Sequence, residues 1–368
     1  MVITYDFVII GGGIIGENIL YAIKKHTNNV LIIDEREGYK ASHAAGGMLG
    51  AQNEFFEDNA LFQLSMIGQQ MMPEHVSTLE QLSGQSIDLK QHGLLKIASD
   101  DGFESLKRQF QFLKYINKSV TWVDDLSQFA NSNINPNFQH AMWISTDGQV
   151  NALKYLSALR EVNKLIPHLK DRVININDDQ QSYLIETTTQ AVRTKNLIIA
   201  AGCNSDNILK MMNIPFKMDG VKGDVLTLYH PYLHLEETLF QTNGHYIVPK
   251  ANNTYLVGAN TSNKMSKTPC AEGIAWLLNE TFSLVPKLRE ATLLNVSCGF
   301  RPNSHLNRPI IDQLNERTYI ATGHYRNGIL LSRVTGELMR QMIFDHEGAL
   351  NKQYHNQFKL GEYNENLY

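Results

Sequence analysis

The sequence predicts a mixed fold, α/β in one part and α+β in the other, and three observations predict it. An apolar run at residues 5–10 meets the turn Gly11-Gly12-Gly13-Ile14-Ile15-Gly16, and a second apolar run at 30–33 ends in Asp34 and Glu35. Short apolar runs of the same kind return at 196–202 and 319–323. Between them lie strand-rich stretches that break the strand–helix rhythm. At 368 residues, two domains are expected.

The first runs read as a buried parallel strand, a glycine turn, an amphipathic helix and a second strand ending in an acid, a Rossmann-like unit. Gly11 makes the tight turn, Gly13 admits a pyrophosphate to the backbone, and Gly16 lets the helix pack on the sheet. Asp34 follows Gly16 by 18 residues, where a carboxylate accepts from a ribose diol and repels a 2′-phosphate. The unit is expected to hold an adenine dinucleotide. Leu20 stands where a small residue eases helix–sheet packing, so the helix is expected to ride slightly outward.

Composition excludes several function classes. With 43% hydrophobic and 19% charged residues and a net charge of -4, the chain has no general attraction for nucleic acid or anionic membranes. Cys203, Cys270 and Cys298 form no CxxC pair, which suits a reducing compartment and neither a disulfide framework nor a zinc ribbon. Residues 1–10 lack a basic signal region and no apolar run approaches a membrane span. A cytoplasmic protein with no nucleic-acid or membrane partner is expected, and no metal site is expected.

After the second strand, residues 42–51 form a small-residue run that lets something large and flat lie against backbone. Residues 58–83 read as a helix despite Pro73, its Met residues core filler. Strands such as 93–98 and a helix near 103–114 begin a second domain. Residues 147–151 read as a turn, 152–165 as an amphipathic helix, and the strands from Val173 lead back to the first domain at 196–202. Residues 222–228, 246–249 and 255–259 read as strands of an antiparallel sheet walling a substrate pocket, followed by a helix at 271–284. The last buried strand at 319–323 precedes a helix from Asn327-Gly328 to about Phe344, whose N-terminus also faces anions. The expected division is 1–84, 147–220 and 300–368 for the dinucleotide domain, and 85–146 and 221–299 for the substrate domain.

The glycine loop with Asp34, the 42–51 run, Ala200-Ala201-Gly202, Lys222-Gly223, Gly299-Phe300-Arg301-Pro302 and the segment from Gly323 to Leu330 together resemble the D-amino acid oxidase family of flavoproteins. Within it the likeness is greatest to the bacterial glycine oxidases of thiamine biosynthesis, and it runs almost end to end. The resemblance implies non-covalent FAD, a discontinuous FAD domain, and oxidation of glycine or another small amino acid to its imine, with O2 reduced to H2O2. It also implies supply of the imine to thiazole synthesis, and a homo-oligomer. By position, Tyr246 and Arg301 match the family's carboxylate binders, and Arg326 a residue lining the substrate site. Gly11, Gly13, Ile14, Ile15, Gly16, Asp34, Glu35, Ser42, Gly46, Gly47, Met48, Val173, Gly202, His324, Asn327, Gly328, Ile329 and Leu330 fall in its FAD-contacting segments.

The chemistry asked of these residues is modest. Arg301 offers a planar, permanently charged fork for a carboxylate, although taken alone it reads as a surface ion pair. Tyr246 adds a hydroxyl, although taken alone it reads as a cross-strand aromatic. The flavin carries the redox step, so no catalytic acid or base is demanded. His324 reads as a packing or flavin-contact residue and His245 as pointing away from Tyr246. Where glycine oxidases carry a histidine and a methionine in the pocket wall this chain has Gly244 and Thr261, and Gly46 replaces an alanine; a wider pocket taking sarcosine or a D-amino acid is expected. Cys298 lies near where sarcosine oxidases attach flavin, yet reads as a buried thiol. Competing readings are a sarcosine or D-amino acid oxidase, an amino acid dehydrogenase with another acceptor such as a quinone, a dinucleotide-binding redox sensor, and an RNA-modifying flavoenzyme.

Overall fold

The computed structural model describes residues 2–35, 40–99, 101–262 and 266–361. Strand β1 (Thr4–Ile10) runs into the glycine turn, helix α1 (Ile14–Ile23) and strand β2 (Val30–Ile33), whose four side chains are all buried. The short β3 (Met48–Leu49) follows, then α2 (Ala60–Ser83), capped by Asn59 accepting from Phe62 N and closed by Gly84 at φ +68°.

The chain then leaves for a second sheet. It supplies β4 (Leu94–Ile97), α3 (Phe103–Tyr115), β5 (Val120–Val123) and β6 (Ala141–Ile144). The expected turn at 147–151 is instead a short strand, β7 (Gly148–Gln149), paired with β3. Gly47 makes this pairing feasible: at φ +76° it approaches the Val150 carbonyl so closely that a Cβ would stand 2.0 Å from the oxygen.

Helix α4 (Ala152–Val162) is followed by β8 (His168–Leu169), β9 (Val173–Asp178), β10 (Tyr183–Thr187), β11 (Ala191–Ile199) and the short helix α5 (Ser205–Met211). A second excursion gives β12 (Met218–Tyr229), β13 (Thr238–Gln241), β14 (Tyr246–Pro249), β15 (Thr254–Gly258), α6 (Ala271–Leu284) and β16 (Thr292–Ser304). Strands β17 (Ile310–Asn315) and β18 (Thr318–Thr322), then α7 (Gly328–Phe344) and α8 (Ala349–Tyr354), complete the chain.

The first sheet has the order β17-β18-β11-β1-β2-β8, with β10 pairing β11 and β9 pairing β10. Its centre, β18-β11-β1-β2, is parallel, with β2 and β18 buried throughout and β1 and β11 buried over Phe7–Ile10 and Leu197–Ile199, as βαβ crossovers require. Leu20 has no exposed surface and packs among Ile9, Ile32 and Ile198, so α1 accommodates the larger residue inside the core. The second sheet has the order β16-β12-β15-β14-β13-β4-β6-β5. It is antiparallel except where β4 meets β13 in parallel, the seam between the two excursions.

Candidate active site

A cavity of about 1120 Å³ runs between the two sheets, from Ile33 and Asp34 past the glycine turn to Tyr246 and Arg301. The nucleotide end is made of backbone. Gly11 stands at φ +111°, and a Cβ there would meet the Ala200 carbonyl oxygen at 2.3 Å. Asp34 accepts from Gly12 N at 2.7 Å and pairs with Lys40, so the acid that lines this end of the cavity also fixes the loop. Ser42 Oγ accepts from Ile14 N at 3.2 Å at the start of α1. Gly13, Ile14, Ile15, Glu35, Ser42, Val173 and Gly202 line this end.

Further along, Gly46, Gly47 and Met48 form one wall, and His324, Asn327, Gly328 and Ile329 at the start of α7 form another. His324 is a packing residue: its Nε2 lies 3.0 Å from Thr335 Oγ1, and burial pushes its pKa down to about 3, leaving a neutral ring. Two expected contact residues do not line the cavity. Gly16 sits behind the turn, where a Cβ would stand 1.9 Å from the Gly11 carbonyl oxygen, and Leu330 is buried under α4 and α2 among Tyr155 and Met72.

The substrate end is made of side chains. Tyr246, Arg301 and Arg326 all face the cavity. The Tyr246 ring lies on two glycines: a Cβ at Gly258 would stand 2.5 Å from it, and one at Gly46 3.3 Å. An alanine at position 46 would press on this ring, so the glycine there does add room. Arg301 similarly lies over Gly223, whose Cβ would stand 2.4 Å from a guanidinium nitrogen.

The Arg301 fork donates to the Asn260 carbonyl at 3.2 and 3.3 Å, and among the described residues no carboxylate pairs with it. Burial pulls its pKa down and Arg326 adds to that, but a guanidinium stays charged. Arg326 pairs with Glu54 at 3.5 Å and lies over the Phe240 ring, on which Tyr246 stacks. Burial raises the Tyr246 pKa, so its hydroxyl is neutral at physiological pH.

Gly244 and Thr261 do not line the cavity, and a Cβ at Gly244 would meet nothing within 4 Å, so the expected widening at these positions is absent. His245 turns away from Tyr246, with Nε2 3.0 Å from Thr281 Oγ1 of α6. Cys298 also turns away, its thiol donating to the Lys267 carbonyl at 3.3 Å.

The model for FAD dependent oxidoreductases of the DAO type matches residues 6–342. The chain belongs to the DAO family. Its sequence is 31% identical to the glycine oxidase of Geobacillus kaustophilus over 94% of this chain and 95% of the relative. It is 30% identical to the bifunctional protein ThiO/ThiG of Nostoc sp. over 93% of this chain and 53% of that longer protein. The crystal structure of the Geobacillus kaustophilus glycine oxidase superposes with a TM-score of 0.92 at 30% identity, over 98% of this chain and 99% of the other.

This DAO-family cavity fits FAD. The Gly13 N–H at the start of α1 has no protein acceptor among the described residues, close approach depends on residues without a Cβ, and the volume of about 1120 Å³ lies just above the ~300–1,000 Å³ range of ligand pockets, as a long dinucleotide requires. Lys40 beside Asp34, Glu54 beside Arg326 and Asn260 behind Arg301 were not legible as site residues. Glu54 and Asn260 act through partners distant in sequence, Lys40 lies outside the glycine motif although only six residues from Asp34, and the one sequence signal, Gly223, has meaning only once Arg301 lies over it.

Proposed function

We propose that this DAO-family enzyme oxidises glycine or another small amino acid to the imino acid, with transfer of the electrons to O2 to give H2O2. The observation that carries the reading is Arg301, a half-buried guanidinium in the cavity wall that binds backbone carbonyls and no carboxylate of the protein. A carboxylate ligand would complete it through two parallel hydrogen bonds. The Tyr246 hydroxyl, also without a protein partner among the described residues, would bind the same carboxylate.

The flavin, when bound, supplies the hydride acceptor and returns the electrons to the oxidant. The chain's own residues position the substrate. Fixing the carboxylate at two points leaves the α-carbon one orientation towards the wall formed by Gly46 to Met48, the positioning that hydride transfer needs. Glu54 holds Arg326 over the Phe240 ring, at the wall of the cavity beside Tyr246.

The likeness to glycine oxidases and to a ThiO/ThiG protein supports a role in supplying imine to thiazole synthesis; we further propose that the enzyme works in the cytoplasm as a homo-oligomer. No helix among the described residues is long and apolar enough to cross a membrane. We assign 1–84, 147–220 and 300–368 to the FAD domain and 85–146 and 221–299 to the substrate domain, with β12 and β16 running across two of these boundaries.

The test is to mix the flavin-loaded protein anaerobically with glycine, sarcosine and D-alanine in turn. Bleaching of the visible flavin bands by glycine, with recovery on admission of air, is expected. Bleaching by none of the three would remove the small-amino-acid reading, and bleaching without recovery in air would move the acceptor from oxygen to another oxidant.

A further inference from the structure

Arg160 lies outside the cavity, on α4, yet its guanidinium reaches the glycine turn. One terminal nitrogen donates to the Gly12 carbonyl at 2.8 Å. Its Nε lies 3.5 Å from a carboxylate oxygen of Glu17, a side chain with no exposed surface. Glu17 is further held by Asn163 Nδ2 at 2.9 Å and His168 Nε2 at 3.2 Å.

Two physical consequences follow from this placement. A trans peptide sets its C=O and the next N–H on opposite sides, and the described residues contain no cis bond. Holding the Gly12 carbonyl towards α4 therefore turns the Gly13 N–H to the cavity side, where among the described residues it meets no protein acceptor. Asp34 fixes the preceding N–H, so the Gly12 peptide groups are held from both directions. The second consequence is electrostatic. The start of α1 attracts an anion, but the Glu17 carboxylate in the same first turn opposes one. Arg160 offsets that charge.

We propose that Arg160 and Glu17 are a positioning pair for the diphosphate of the cofactor. Arg160 orients the Gly12–Gly13 peptide so that its N–H faces the diphosphate, and neutralises Glu17 behind it. The inference rests on the FAD of the family and not on which amine is oxidised.

Titration of the apoprotein with FAD, followed by quenching of flavin fluorescence, tests it. Arg160→Met is expected to raise the Kd about tenfold, the effect of losing one charge-assisted hydrogen bond. Glu17→Gln placed in that variant is expected to lower the Kd again by about threefold, because an uncompensated carboxylate near the diphosphate is removed. Loss of packing would act in the opposite direction, making the double variant weaker than the single one. Arg160→Lys keeps the charge and one donor, and a rise of only about threefold is expected; it carries the comparison if the methionine variant does not fold. Wild-type affinity in Arg160→Met, or in Arg160→Lys where only that variant folds, would overturn the proposal. So would a Glu17→Gln change that deepens the loss.

Discussion

At the nucleotide end of the cavity the groups offered to a ligand are backbone N–H groups, whereas at the substrate end they are side chains delivered by strands far apart in sequence. The first kind of site is set by where a Cβ cannot stand. Gly11 and Gly16 each stand so close to a carbonyl oxygen that a Cβ would lie 2.3 Å or less from it. The second kind is set by which long side chains two glycines admit: Tyr246 over Gly258 and Arg301 over Gly223. A backbone site tolerates almost no substitution at its glycines, while a side-chain site should lose one interaction at a time.

The largest expected effect breaks the backbone end. Gly16→Val forces a side chain into the Gly11 carbonyl, and FAD affinity is expected to fall by at least about a hundredfold, with a loss of stability of a few kcal/mol from overpacking. Retained yellow colour after gel filtration of this variant would contradict the backbone account.

Next in size is the support beneath the substrate end. Asp147 is fully buried, with Oδ1 accepting from Gln69 at 2.8 Å and Oδ2 3.2 Å from where a Gly50 Cβ would stand. Burial pushes its carboxyl up from 3.8 to about 7. Between these values the folded protein keeps a proton that the unfolded chain has released, so stability falls as pH rises across this window, by at most ~1.4 kcal/mol per unit. Asp147→Asn is expected to flatten that slope, measured by urea unfolding at pH 4.5 and 6.5. An unchanged slope would place the titrating group elsewhere.

Tyr246→Phe removes one hydrogen bond to the substrate carboxylate, and a rise of about tenfold in KM is expected from ~1.5 kcal/mol, the low end for a bond to a charged group. The ring would remain between its two glycines, so FAD affinity should stay within about twofold. A larger loss of FAD than of substrate would place the tyrosine in the cofactor's half of the site. Smallest of all is Cys298→Ser. Because the thiol faces the Lys267 carbonyl and not the cavity, flavin loading should be unchanged, and acid precipitation of the wild type should give a colourless pellet under a yellow supernatant. A yellow pellet would show a covalent bond.

The same contrast explains what the sequence disclosed. The glycine turn, Asp34, the buried runs and the helix Gly328–Phe344 were legible because each is a local pattern whose backbone demand is written in consecutive residues. Residues 147–151 read as a turn because Asp-Gly is turn chemistry, and the pairing of β7 with β3 depends on a contact about a hundred residues away. Tyr246, Arg301 and Arg326 were placed in one site by family resemblance, since nothing local to β14, β16 or the loop before α7 says that they converge. Glu54, Lys40 and Arg160 escaped because charged residues outside a motif read as surface. The expected effect of Gly244 and Thr261 failed for the complementary reason: a position matched by resemblance need not face the same space.

The most direct measurement compares the two ends in one variant. Flavin-loaded wild type and Arg301→Met are titrated with glycolate, a carboxylate with no amine to oxidise, and binding is followed through the perturbation of the visible flavin spectrum. Glycolate is expected to bind Arg301→Met at least about a hundredfold more weakly, as loss of one partner of a buried charge pair implies, while FAD stays bound. Equal glycolate affinity in the two proteins would contradict Arg301 as the carboxylate site, and with it the reading of this cavity as that of a small-amino-acid oxidase.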